Sequence, residues 1–372
     1  MAFAGGSGTS GDPYQVATAA QLNEVRDYLD KYFIQTADID LSGYARWSPI
    51  GYTAHPFIGN YDGHHYEITN LTIPDDVGSS VNVGLFGLVS NATLQNIIIV
   101  DCNISGTNSE NVAGLIGSVT QTTGTEVTTI SQCSVSGSVS NTVYEYIGGL
   151  VGSVRGTAGT EVTNITECCV KLTLLRAYGS ACQVAPVVAF VSSAVLNITD
   201  TYAVTTAISV VKPNSDFGSA GFLGTRVNGV CTITNCYSVC YYQNDADSKG
   251  FCDASAIGVD PVVISCYWDI TVSTPKTSYA GTTARTTAEM VYPTYDEYTD
   301  WDFTTVWRHD KLGTYNDFYP ILRWQYVIPE WLVNRKFKVL LSLNFYKWEK
   351  NKYFDACKCK AYVISEEIAE DE

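Results

Sequence analysis

The stretch "GLFGLVSNATLQNIIIVDC" (residues 84–102) sets an apolar pair between two glycines and then runs into a strand-like segment. Its opening phrase returns as GLIGSV (114–119), GLVGSV (149–154) and GFLGTR (221–226), with degenerate copies PVVAFV (186–191) and GFCDAS (250–255). Downstream, an aliphatic residue is followed three positions on by a small one: Ile99 by Cys102, Ile130 by Cys133, Ile165 by Cys168, Ile198 by Thr201, Ile233 by Cys236 and Val263 by Cys266. The intervals along this column are 31, 35, 33, 35 and 30 residues. A period of a few tens of residues signals a repeat architecture. One copy is too short to bury its own apolar residues, whereas stacked copies bury them continuously.

Short strands joined by glycine-rich turns favour a parallel β-helix, in which equivalent residues of neighbouring coils lie ~4.8 Å apart. Cys102, Cys133, Cys168, Thr201, Cys236 and Cys266 are then expected to stack as an internal ladder of small, weakly polar side chains. Gly84, Gly87, Gly114, Gly117, Gly149, Gly152, Gly221 and Gly224 are expected to permit close approach or positive φ where the coil turns.

The composition agrees. Of the 372 residues only 16% are charged, and the chain is rich in Thr, Val, Ile and Tyr, which favour strands. We read an all-β protein. The net charge of −16 argues against nucleic acid and anionic membranes, because a phosphate-binding surface needs clustered Lys and Arg. No stretch reaches the roughly 18 apolar residues of a membrane span. The opening "MAFAGGSGTSGDPYQVATAAQL" has no basic region and no apolar run, so it does not read as a secretory signal.

The G-L-[FIV]-G phrases resemble the GLUG motif, a short repeat of bacterial surface proteins and phage proteins. The flanks resemble the lead-in and closing segments of such arrays: "GDPYQVATAAQLNEVRDYL", "FIQTADIDLSG", "WSPIG" and "FIGNYDGHHYEITNLTI" before the repeats, and "ISCYWDITVST", "TTARTTAEM", "WDFTTVW" and "FYPILRW" after them. The likeness covers about residues 11–324. It implies a right-handed parallel β-helix and no single activity, since fold and function separate easily.

Residues 1–13 read as a flexible arm and 14–83 as an N-terminal cap with the first coils. Thr18 is placed to cap a helix reaching about Lys31, with Leu22, Val25 and Leu29 on one face covering the open sheet end. Residues 84–270 are the repeated β-helix. Residues 271–324 are an aromatic closing cap that includes Trp301, Trp307, Phe303, Phe318 and Tyr319. Residues 325–372 alternate in a way that predicts a β-hairpin followed by an acidic tail, for attachment or oligomerisation.

Candidate chemistry is sparse. Asp38 and Asp40 in "TADIDLSG" and Asp62 in "NYDGHHYE" could work as acid and base on a glycosidic bond or ligate calcium. They equally fit turn formation, and that reading is preferred. The 12 cysteines read as mostly free thiols, because in-register side chains suit stacking better than the disulfide torsion. There is no Walker loop, nucleophile elbow, HExxH or dinucleotide fingerprint. No resident cofactor is expected, with calcium the one open possibility.

The expected function is that of a phage virion protein: a tail fibre, tailspike or capsid-decorating spike. It would act by binding, assemble as a homo-oligomer with other virion proteins, and meet host-surface glycans through the lateral loops 120–126, 155–161 and 241–249. A bacterial cell-surface adhesin and a polysaccharide lyase or glycosidase are the alternatives.

Overall fold

Strand-forming segments separated by glycine or polar corners build four parallel sheets in the computed structural model. It describes residues 3–74, 82–106, 109–141, 146–178, 182–211, 219–243, 248–253, 261–273, 277–279, 281–294, 298 and 300–326. Two compact units divide the chain at Arg323. The predicted hairpin and acidic tail belong to the second unit and lie outside the described residues.

In the first unit each full coil passes through the four sheets in turn. Sheet C stacks Asn82–Val83, Asn111–Val112, Tyr146–Gly148 and Gln183–Ala185. Sheet D follows, with Phe86–Val89, Ile116–Thr120, Val151–Arg155, Val188–Ser192 and Leu223–Val227. Sheet A has nine strands, from Tyr14–Val16 through Val127–Ser131, Val162–Thr166, Val195–Thr199 and Val230–Thr234 to Val262–Ile264. Sheet B carries the long strands Ile98–Gly106, Ser134–Asn141, Cys169–Tyr178, Tyr202–Val211 and Tyr237–Gln243. The pairings within these four sheets are parallel and join successive coils. The fold is a parallel β-solenoid of stacked repeats.

One sheet D strand comes from each of the glycine-phrase copies between residues 84 and 226. The glycines sit at and just beyond the turn from sheet C to sheet D, where backbones nearly touch. A Cβ on Gly152 would lie 2.5 Å from the Gly117 carbonyl oxygen, and one on Gly224 would lie 2.1 Å from that of Ala189. None of the eight expected glycines has positive φ, so close approach is the whole reason for glycine there.

Positive φ falls at the corner from sheet A to sheet B. Asn96, Gln132, Glu167, Asp200, Asn235 and Ser265 have φ of 55°, 50°, 52°, 48°, 53° and 49°. Polar residues tolerate this region better than β-branched ones. Each immediately precedes the internal column, whose members are Ile97, Cys133, Cys168, Thr201, Cys236 and Cys266. The backbone shows this: Ser134 N–H donates to Ile97 O, Cys169 to Cys133 O, Tyr202 to Cys168 O, Tyr237 to Thr201 O and Tyr267 to Cys236 O. Cys102 is not in the column. It pairs with Gly137, beyond a register shift in its strand, and Ile97 takes the place expected for it. Within the column, Cys133, Cys168, Cys236 and Cys266 donate S–H to the carbonyl two residues back at 3.2, 3.4, 3.1 and 3.2 Å, and the Thr201 hydroxyl does the same at 3.0 Å. A thiol or hydroxyl here satisfies a carbonyl at the corner, which explains why Thr replaces Cys.

At the N-terminal end Thr18 Oγ1 accepts from Gln21 N–H at 3.3 Å. The helix spans only Ala19–Glu24 before a 3-10 turn at Val25–Asp27, shorter than expected. Leu22 and Val25 enter the core as expected of the apolar face. The first residues are not a free arm. Ala4 N–H donates to Gln15 O and Gln15 N–H to Gly5 O, and the Phe3 ring stacks on Tyr14 at 4.5 Å beside Phe33. Aromatic burial outweighs the flexibility that the glycines would give.

The closing segment divides: its first part lies on the last coil, where Phe251 and Cys252 N–H donate to Ser278 Oγ at 3.0 and 3.1 Å and Tyr279 and Ala284 pack against the core. Thr283–Arg285 extends sheet B by one strand. The chain then runs along the outer flank of that sheet as a strap. Trp307 packs on Tyr202 and Tyr237, and Trp301 on Tyr237 and Tyr267. These three tyrosines directly follow the internal column in successive coils and point outward.

Candidate binding surfaces

The three aspartates proposed for catalysis or calcium are engaged by protein donors. Asp40 accepts from Ser42 N–H and Asn70 Nδ2 through Oδ1, both at 2.8 Å, and from the Ser42 hydroxyl through Oδ2. Its pKa is lowered by those bonds, that of Asn70 first. Asp62 accepts from His64 N–H, Asn96 Nδ2 and Gln95 Nε2, each at 2.8 Å. Asp38 accepts from Glu67 N–H at 2.9 Å. Each carboxylate ties one coil to the next or closes a turn. Among the described residues no three His, Cys, Asp or Glu side chains converge on a point that could hold a metal ion.

The ten described cysteines are buried and stand outside disulfides. Burial pushes up the thiols of Cys102 and Cys240, to about 12, and that of Cys169, to about 11. These three are therefore protonated at neutral pH and poor nucleophiles.

The two broad flanks differ. Over its last coils sheet B is sealed by the strap. Tyr237 hydroxyl donates to Pro320 O at 2.6 Å, Tyr319 hydroxyl to Asp269 Oδ2 at 2.6 Å, and Lys171 Nζ to Tyr315 O. Trp307 Nε1 donates to Asp200 Oδ1 at 2.8 Å. The cap aromatics thus serve mainly as cover, although Phe318 stays 43% exposed.

The outer face of sheet A carries no such cover among the described residues. Three columns face outward across the coils. The first is Val127, Val162, Val195 and Val230; the second Thr93, Thr129, Asn164, Asn197, Thr232 and Val262; the third Gln95, Ser131, Thr166, Thr199, Thr234 and Ile264. None is charged. Asn197 Nδ2 donates to Asn164 Oδ1 at 3.0 Å along the stack.

Beside this face, at the turn from sheet D to sheet A, two lateral loops repeat one phrase: Thr122-Thr-Gly-Thr-Glu126 and Thr157-Ala-Gly-Thr-Glu161. Gly124 and Gly159 take φ of 72° and 74°, which suits glycine. The loops stack, with Thr157 and Thr160 hydroxyls donating to Thr122 O and Gly124 O at 3.1 and 2.9 Å. A glutamate clamps each one. Glu161 Oε1 accepts from Thr157 N–H at 3.0 Å and Ala158 N–H at 2.9 Å, and Oε2 from Thr160 N–H at 3.1 Å. Burial alone would raise this carboxyl, but the backbone donors, Ala158 first, hold it at about 2. Glu126 Oε2 accepts from Thr122 N–H at 2.6 Å. Thr122, Thr123, Thr125 and Thr160 remain exposed. The third expected loop, 241–249, is described only at its two ends.

Sequence reasoning missed one cavity. A shallow cleft of about 780 Å³ lies between the 3-10 turn and the loop at 48–55, lined by Asp27, Asp30, Ser48, Tyr52 and His55. Arg26 holds its wall by donating to Ser48 O at 2.8 Å and lying over the Trp47 ring.

Comparison with known proteins gives partial matches. No protein-family model matches the chain. A protein named as a Gly-rich membrane protein of Evansella cellulosilytica is 36% identical over 126 residues, which is 32% of this chain and 14% of that protein. Halomucin of Haloquadratum walsbyi is 32% identical over 148 residues, 36% of this chain and 2% of its own length. The matches thus span a small fraction of these relatives. A solved structure described as an immunoglobulin A1 protease from Bacteroides ovatus superposes with a TM-score of 0.68, covering 87% of this chain and 95% of that one at 21% identity. At that identity the likeness shows the β-solenoid fold alone.

Proposed function

We propose that this chain is a display and adhesion component of a virion, a fibre, tailspike or capsid-decorating spike, that binds a host-surface glycan without cleaving it. The observation that carries this reading is the pair of stacked, glutamate-clamped loops at 122–126 and 157–161. They hold exposed threonine hydroxyls on a frame fixed before any ligand arrives, and preorganisation lowers the ordering cost of binding. Hydroxyl-rich, uncharged surfaces suit neutral polyhydroxylated partners, while the net charge of −16 disfavours anionic ones. Buried cysteines outside disulfides fit assembly in a reducing cytoplasm. A second reading, a bacterial cell-surface adhesin, draws on the names of the two partial relatives.

The test is binding of the full chain to host-envelope polysaccharides, with Thr123→Ala/Thr125→Ala as the variant. Binding should be present, should weaken about tenfold or more in the variant, and should release no reducing ends. Reducing-end release, or undiminished binding by the variant, would overturn the proposal.

A further inference from the structure

The cleft beside the 3-10 turn has one wall that the repeat does not require. Ile50 and Phe57 both bridge to strand Phe86–Val89 of sheet D, and between them the chain leaves the sheet. The excursion closes as a tight hairpin, with Tyr52 N–H donating to His55 O and His55 N–H to Tyr52 O, both at 2.9 Å. Its base is pinned to the sheet: Phe57 N–H donates to Leu88 O at 2.9 Å and Leu88 N–H to Gly51 O at 3.2 Å. Gly51 takes φ of 78°, and a Cβ there would lie 2.4 Å from the Leu88 carbonyl oxygen. The hairpin thus fixes Tyr52 in the cleft without burying it. Tyr52 is 59% exposed, and the His55 ring meets it edge-on at 5.2 Å. An aromatic ring held open at a cavity is a platform for the apolar face of a ring-shaped ligand that carries polar groups at its edge.

The opposite wall disfavours an anion. The Arg26 guanidinium is engaged by the protein, donating from Nε to Asn23 O at 2.8 Å, from Nη2 to Ser48 O at 2.8 Å and from Nη1 to Pro49 O at 3.5 Å. Asp27 and Asp30 add exposed carboxylates, Asp30 with Lys31 Nζ at 3.1 Å from one oxygen. Carboxylates accept from hydroxyls and repel other anions. The cleft also shares an edge with the threonine loops. Leu29 and Asp30 lie in the turn that leads into strand Tyr32–Gln35 of sheet A, just as loops 122–126 and 157–161 lead into Val127–Ser131 and Val162–Thr166. Those two strands stand three and four places further along the sheet. At ~4.8 Å per strand the loops are about 14 and about 19 Å along the edge from the cleft. The two intervening turns, 58–59 and 90–92, are short.

We infer that the cleft is a sugar-ring subsite, in which Tyr52 stacks on the ring and Asp27 accepts from its hydroxyls, and that it takes one end of a neutral glycan whose other end lies on the threonine loops. This rests on the glycan reading above. The volume of about 780 Å³ falls within the ~300–1,000 Å³ of small-ligand clefts. A shallow subsite suffices here, because a ligand already held by the loops meets the cleft at a high effective concentration.

Isothermal titration calorimetry of the full chain tests this, using fragments of a neutral host-envelope polysaccharide graded by length. Tyr52→Ala is the cleft variant and Tyr52→Phe the conservative one. The position is exposed, and unchanged far-UV circular dichroism checks the fold. Wild-type affinity should rise with length and level off once a fragment reaches from loops to cleft. Tyr52→Ala should lose that rise and bind the long fragments about tenfold or more weakly, while Tyr52→Phe, which keeps the ring, should match the wild type. Undiminished binding of long fragments by Tyr52→Ala, a Tyr52→Phe variant as weak as Tyr52→Ala, or a wild-type affinity independent of length would overturn the inference. Each would leave the loop reading standing on Thr123 and Thr125. Absence of any binding by the wild type would overturn both.

Discussion

Glu161 shows how much one side chain does at the surface of a repeat. Its carboxyl pKa is depressed to about 2 from 4.5. The stability it confers is therefore complete above about pH 4.5 and is lost as pH falls towards 2. Glu161→Ala should destabilise the fold by ~2–3 kcal/mol, since several backbone donors lose a charged acceptor. Glu161→Gln should flatten the acid limb of a thermal-melt series between those pH values. Glu167 is the opposite case. Burial raises its pKa, and Asp200 in the next coil raises it further, so its ionised form strains the corner at neutral pH. Glu167→Gln, which copies Gln132 one coil earlier, should raise Tm at pH 7 by a few degrees and change little at pH 4. The column itself was legible from Cys133 to Cys266 because thiols and a threonine recur at one offset. It was misread at its start. Ile97 carries no chemical mark, while Cys102 five residues on happens to follow an aliphatic residue at the same offset. A polar residue at positive φ precedes each true member, Asn96 through Ser265, but it does not separate the two candidates, because Asp101 before Cys102 also has φ of 53°.

At the scale of elements, the glycine phrase is a tolerance for close contact between successive coils as the chain enters sheet D. Gly152→Ala should cost at least ~2 kcal/mol in a denaturant melt, because its Cβ would meet the Gly117 carbonyl oxygen at 2.5 Å and a close-packed core relaxes little. The same substitution at exposed Gly11 or Gly43, where nothing lies within 4 Å, should cost under ~1 kcal/mol. The strap is the other decisive element. Trp307→Ala should cost ~3–5 kcal/mol, with loss of the indole donor to Asp200 raising the carboxyl further. Aromatic richness in residues 271–324 predicted burial. It could not say against which surface, because side and end of a solenoid ask for the same composition. The tyrosines at 202, 237 and 267, outward in their strands yet large and apolar, mark the flank as covered once the register is known.

Across the solenoid as a whole, the strap divides the coils into two populations. The starts of Tyr202–Val211 and Tyr237–Gln243 lie under it, whereas Ile98–Gly106 and Ser134–Asn141 present half-exposed outward side chains. Hydrogen exchange should be slowest in the first pair and faster by about tenfold or more in the second, since each opens with its own local stability. Repeat period and strand chemistry made the solenoid legible, while the mutual arrangement of its flanks was not, because a repeat specifies neighbours along the stack and says little about what crosses it. The strap is such a crossing. Trp307 reaches Asp200 and Tyr315 reaches Lys171, contacts between parts of the chain 107 and 144 residues apart. Pulled along its axis, the stack would therefore not peel evenly. The early coils would slip off one by one under modest tension, and the buckled remainder would hold until the belt tore away in a single rip.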